Sequence, residues 1–122
     1  MEFYIRQGAS DPILKMKLID DGKNDKSYFN DLLENSDVTF EMIDNKTKFP
    51  VILGGICEIT TRVNKFNQVS DDYYIIYTFT EDQTSDIGRY EGKFTVQFFD
   101  SSQQPTTKLI VPIKEKLFIN VI

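Results

Sequence analysis

The stretch FTEDQTSDIGRYEGKFTVQF, from Phe79 to Phe98, decides how this chain folds. Its second half alternates strictly. Tyr90, Gly92, Phe94, Val96 and Phe98 take one face, and Glu91, Lys93, Thr95 and Gln97 take the other. A period of two with one apolar face predicts a half-buried strand. Its first half is an acidic, polar turn with Glu81, Asp82 and Asp86 ahead of Gly88. Such a turn is either a corner of a β-sandwich or a cation site.

Immunoglobulin-like sandwiches carry a tyrosine at the start of one strand whose hydroxyl bonds the backbone a few residues upstream. Tyr90 is the candidate for that corner. Gly92 takes the place held by a cysteine in antibody domains. Gly88 is expected to supply a backbone angle that side chains resist. Asp86 is expected to close the turn through bonds to its own backbone. For calcium, Glu81, Asp82 and Asp86, with Asp71 and Asp72, offer oxygen ligands. Their spacing matches no known calcium loop. The cluster Asp20 to Asp25 departs from the EF-hand pattern, because Gly22 stands where a ligand is needed and no glutamate closes the loop. The corner explains the same residues with fewer assumptions, so no metal and no cofactor is expected.

Outward from this stretch, alternation continues. Phe3 and Ile5 alternate with polar neighbours, as do Leu14, Met16 and Leu18, then Val38, Phe40 and Met42. Cys57, Ile59 and Val63 do the same, Tyr73 to Thr80 is β-rich on both faces, and a last strand sets Ile113, Leu117, Ile119 and Val121 against Lys114, Lys116 and Asn120. Turn signals separate these runs: Asp20 to Asp25, Asp44-Asn45-Lys46, Gly54-Gly55 as a break, Asn64 to Asp72, and Asp100 to Pro105. Pro112 belongs at a strand start or an edge. Ser27 to Glu34 has the spacing for one helical turn. Seven or eight short strands with no crossover helix predict an all-β, two-sheet antiparallel β-sandwich, immunoglobulin-like, as one domain over residues 1–122. A chain that opens and closes on strands is expected to be a complete domain.

Composition narrows function. The 122 residues are 40% hydrophobic and 27% charged, with ten Phe, six Tyr and no Trp, enough for an aromatic-rich core. The net charge of −5 and the spread of Lys and Arg argue against nucleic acid as a partner. No apolar run approaches the ~18 residues of a membrane span, and Met1 to Arg6 has no signal-peptide pattern, so no membrane partner is expected. Cys57 is the one cysteine, which rules out an internal disulfide; its alternation with Ile59 predicts a buried structural thiol. Asn45-Lys46-Thr47 matches the glycosylation acceptor pattern, with nothing else that points to secretion. The chain has no histidine, and it lacks a nucleophile elbow, a phosphate loop and zinc-ligand spacing. A non-enzymatic protein is expected.

Several features occur in a particular order. Gln7-Gly8 is followed by Asp11-Pro12, a strand from Ile13 to Ile19, Asp21-Gly22 and Asp31-Leu32. Then come Val38-Thr39-Phe40-Glu41-Met42, Tyr77 to Thr84, Gly88 to Phe94, and Leu109-Ile110-Val111-Pro112. Over nearly its whole length the chain thereby resembles the N-terminal domain of the phage baseplate upper protein family. Each matching motif is a strand-and-turn pattern. The resemblance implies a β-sandwich within a bacteriophage virion, made in the host bacterial cytoplasm and docking other virion structural proteins. Multiple copies in a symmetric assembly follow from that role. Relatives continue into helical and receptor-binding-protein-carrying regions, whereas this sequence stops at Ile122, so a free-standing subunit is implied. It would serve as a baseplate or tail component, or as a capsid decoration or fibre-anchor protein.

The first and last strands are the expected docking edges. Tyr4, Tyr74, Ile76, Phe99 and Phe118 are the candidate docking surface, against the plainer expectation that they cover a second face within the domain. The competing class is a carbohydrate-binding or host-surface-binding sandwich module. It would use exposed aromatics such as Tyr4, Tyr28 and Tyr74 on one concave face.

Overall fold

A computed structural model describes residues 1–18, 35–63 and 69–122. The Asp20–Asp25 cluster, the turn from Ser27 to Glu34 and residues 64–68 lie outside the described residues. Nine strands are described: β1 Glu2–Ile5, β2 Leu14–Leu18, β3 Ser36–Asp44, β4 Pro50–Ile56 and β5 Glu58–Val63, then β6 Val69–Tyr77, β7 Gly88–Phe99, β8 Pro105–Val111 and β9 Leu117–Val121. They form two sheets. The larger has the order β1-β9-β7-β3-β4, with β8 also on β7; the smaller has the order β2-β6-β5. The architecture is all-β and sandwich-like.

The alternating run found in the sequence is the spine. β7 pairs β3 along nearly its whole length, from Ser36–Phe98 to Asp44–Tyr90. Its other side is shared. β9 pairs Gly88 to Gly92, and β8 pairs Phe94 to Phe99. Gly92 faces Leu117 and Phe94 faces Val111. The last strand, expected from Ile113 onward, begins only at Leu117, and β8 ahead of it is collinear with it along β7. Residues 112–116 leave the ladder between them. Ile113, Lys114 and Lys116 are exposed in that excursion rather than paired.

The expected purely antiparallel sheet is corrected. β1 lies parallel to β9, with Glu2 opposite Phe118 and Ile5 opposite Val121. The last strand is thus interior, between β1 and β7, and only β1 of the two expected docking edges is an edge. The polar loop expected up to Asp72 is also shorter, because β6 begins at Val69.

The inward faces meet in one core. Phe40 of β3, Tyr77 of β6, and Phe79 and Phe94 form its aromatic centre. Phe40 stands 4.6 Å from Tyr77, 4.9 Å from Phe94 and 5.9 Å from Phe79, centroid to centroid. Tyr77 meets Phe79 edge to face at 5.1 Å, a favoured geometry for aromatic pairs. Because Phe40 comes from one sheet and Tyr77 from the other, this contact ties the layers together. Ile5, Leu14, Met16, Met42, Ile75, Leu117, Ile119 and Val121 fill the rest. Gly92 is where it is because a Cβ there would sit 3.0 Å from the Phe40 ring.

The chain changes sheets with little connection at one point. β4 ends at Ile56 and β5 begins at Glu58, so Cys57 alone spans the bend. Its N–H donates to the Val38 carbonyl at 3.2 Å. The expected break at Gly54-Gly55 is instead part of β4. Met42 faces Ile52 and Phe40 faces Gly55, so Leu53 and Gly54 bulge opposite Glu41. Gly54 sits at φ +67°, where a side chain is strained. A Cβ on Gly55 would come 2.7 Å from the Tyr77 ring.

Candidate functional site

The acidic turn comes first. After β6 the chain makes one 3-10 turn, Asp82–Thr84. Its buried work falls to neutral side chains. Thr84 is fully buried, and its hydroxyl lies 2.7 Å from the Ala9 carbonyl and 3.3 Å from that of Glu81. The Gly8 N–H donates to the Thr84 carbonyl at 2.9 Å, and the Gln7 side-chain amide donates to Ser85 O at 2.8 Å. Gln83 Oε1 accepts the Tyr77 hydroxyl at 2.9 Å and the Thr80 N–H at 3.0 Å. The turn is a clamp that fastens the segment after β1 to the end of β6. The sequence reading missed Gln83 and Thr84. The available signal was a pair of uncharged polar residues inside an acidic turn that follows an aromatic strand.

Tyr90 is buried, and its hydroxyl donates to the Asp86 carbonyl at 2.8 Å. That is the bond a tyrosine corner makes. Burial, then the charges of Asp86 and Asp44, push the Tyr90 phenol above its usual range. Asp86 contributes its main-chain oxygen to this bond. The expectation for Gly88 is corrected. Its φ is not in the left-handed region, where only Gly8 and Gly54 are found among the described glycines. A Cβ at Gly88 would meet the Tyr90 ring at 3.6 Å, an ordinary contact. Among the described residues no three His, Cys, Asp or Glu side chains gather as a cation site.

The five docking candidates do not share a surface. Tyr4 lies on the outer face of β1, 56% exposed. Phe118 lies on the adjacent β9, and the Arg89 guanidinium covers its ring at 4.0 Å. Arg89 in turn pairs with Glu2 at 3.1 Å, and Glu2 accepts the buried Asn120 amide at 3.1 Å. Phe99 ends β7, ten residues from Arg89 and so about 33 Å along the strand. Tyr74 and Ile76 sit on the outer face of the other sheet. Lys15 stands 4.4 Å over the Tyr74 ring, and Ile76 lies between Lys15 and Glu58.

The exposed apolar surface is elsewhere. β4 is the far edge of the larger sheet, and its sequence PVILGGI has no charge. Phe49, just before it, is 72% exposed, Leu53 67% and Ile56 88%; Val51 is exposed too. The hairpin ahead of β4 is tight. Asp44 Oδ1 accepts the N–H groups of Lys46 and Thr47 at 2.8 and 2.9 Å, which hold its carboxyl below the usual range. Asn45, in the acceptor pattern, donates its N–H to the Arg89 carbonyl. Cys57 beyond the strand is half-buried, and burial pushes its thiol up to about 12, so it stays protonated and unreactive at neutral pH.

Compared with family models, with characterised proteins and with solved structures, the chain finds no match.

Proposed function

We propose that this chain is a non-enzymatic structural subunit of a tailed-bacteriophage virion, docking other virion proteins through an immunoglobulin-like sandwich. The observation that carries the docking role is β4. Seven uncharged residues form a sheet edge whose Val51, Leu53 and Ile56 are exposed, with exposed Phe49 just before it, and an apolar edge strand is a template for another chain. The strand order supports the immunoglobulin-like part. The run β9-β7-β3-β4 parallels the G-F-C-C′ order of variable-type domains, and β2-β6-β5 parallels B-E-D. The Tyr90 bond to Asp86 stands where the corner of such a domain stands. The virion itself rests on the strand-and-turn resemblance to the baseplate upper protein family. A glycan-binding module has less support, because Tyr4 and Tyr74 lie on outer faces of different sheets.

Co-sedimentation tests this reading. The purified chain is mixed with purified tails and, separately, with purified heads of the phage that encodes it. Pelleting with one of them is expected. A chain that ignores both, yet binds a glycan on an array, overturns the structural role.

A further inference from the structure

We propose that residues 1–9 are a releasable strap: they lift from β9 as one unit while the rest of the two sheets stays folded, and their seat is matched to take them back. This goes beyond the virion role and does not depend on it.

Little apolar burial holds the strap. Of its nine residues only Ile5 is buried; Phe3 and Ala9 are half-buried and the others are exposed. β3, by comparison, buries Val38, Phe40 and Met42 in the core. Segments with few buried apolar side chains open before the whole fold does. The other ties are polar and lie largely at the surface. The Met1 amine bonds the Lys116 carbonyl at 3.1 Å and pairs with Glu115 at 3.5 Å. Glu2 pairs with Arg89 at 3.1 Å, and the Gln7 N–H donates to the Ile122 carbonyl at 2.8 Å. The bond from the Ala9 N–H to the Arg6 carbonyl is internal, so it travels with the strap. Past Ala9, exposed Asp11, Pro12 and Ile13 carry the chain over the surface to β2.

Two groups left behind keep other partners. The Thr84 hydroxyl lies 2.7 Å from the Ala9 carbonyl but also 3.3 Å from that of Glu81, in its own turn. Arg89 keeps the Phe118 ring beneath it. Asn120 differs. It is buried, and its side-chain amide donates to Glu2 Oε1 at 3.1 Å and to the Phe3 carbonyl at 3.3 Å. Both acceptors belong to the strap, so Asn120 is matched only when this segment is seated. Thr84 therefore permits release and Asn120 favours return. Release turns β9 from an interior strand into a sheet edge.

Native-state hydrogen exchange of the full chain reads this. The amides of Gln7, Gly8 and Phe118 close the strap onto its neighbours. In the wild type they are expected to exchange at least about 10-fold faster than the slowest amides of β3 and β7. Low urea should speed the β3 and β7 amides and barely move the strap amides, because strap release exposes little surface. Val96→Ala removes buried methyls where β7 pairs β3 and β8, away from β9. It should speed the β3 and β7 amides about 10-fold and leave the three strap amides within about 2-fold of the wild type. Gly8→Ala puts a side chain at φ +77° with open space around it, so only the strap's backbone is strained. It should speed the strap amides about 5-fold or more. Strap amides that exchange as slowly as those of β3 and β7, or that take the full effect of Val96→Ala, overturn the inference. So does indifference to Gly8→Ala.

Discussion

Two of the outer strands of the larger sheet, β1 and β4, are very different. β1 is four residues long and carries Glu2, which is tied to Arg89 and Asn120 on its neighbours. β4 is seven residues long, uncharged, and lined with exposed apolar side chains. Short length and an anchored charge are ways of refusing a further strand. β1 has both; β4 has neither, and carries Pro50 and a bulge instead. The centre of the same outer face is polar, with Lys93 paired to Glu41 at 3.3 Å. Exposed apolar side chains are thus densest along β4, while Tyr4 on β1 and Ile110 on β8 are exposed singly. The difference teaches that changes at β1 should register in stability, and changes on the outside of β4 in association.

The largest effect is expected where β4 meets the core. Gly55→Ala drives a Cβ into the Tyr77 ring, and should cost about 1–3 kcal/mol by overpacking. Urea denaturation measures it; an unchanged midpoint would mean that β4 is not held against Tyr77. On the other side, Thr84→Val removes the hydroxyl that fastens the segment after β1. It should cost about 1–3 kcal/mol, because the Ala9 carbonyl loses its donor inside the fold. The same titration reads it. Smaller again is Glu2→Ala, at under about 1 kcal/mol, since the pair with Arg89 is partly exposed. Sedimentation should show that removing this charge leaves association unchanged; a rise in self-association would mean that Glu2 is what guards β1.

The smallest effect is a pH dependence at the hairpin leading into β4. Asp44 has a lower pKa folded than unfolded, because two backbone N–H groups bond its carboxylate. Its contribution is therefore complete above the usual value of 3.8 and is lost as pH falls below it. Melting curves of the wild type and Asp44→Ala should converge in acid and separate toward neutrality.

The two edges also differed in how legible they were. β1, β3 and β7 alternate because one face meets the core and the other meets water or polar neighbours, and their apolar residues could be placed from the sequence. β4 could not. Its outer side chains are as apolar as its inner ones, so the period of two vanishes. Its glycines serve a bulge and the packing of Tyr77, although they look like a break. Alternation misled in the opposite sense near the end. It runs on through Ile113 and Lys114, which have left the ladder, because β8 and β9 are collinear and the excursion between them happens to keep step. At the turn, the acids caught attention while Thr84 and Gln83 made the buried bonds. Burial of a neutral polar residue leaves no periodic trace.

The parallel seating of β1 on β9 also has a consequence in time. The amino group of Met1 bonds the carbonyl of Lys116 across 115 positions of sequence. Among the strand pairings described, β1 on β9 closes the longest loop, and distant contacts form slowly. During synthesis, residues 2–5 have no strand to join until residues 118–121 have been made. The guarded edge is thus built from two segments made far apart in time. β4, whose pairing to β3 spans a short hairpin, can fold and stand exposed before that seam is closed.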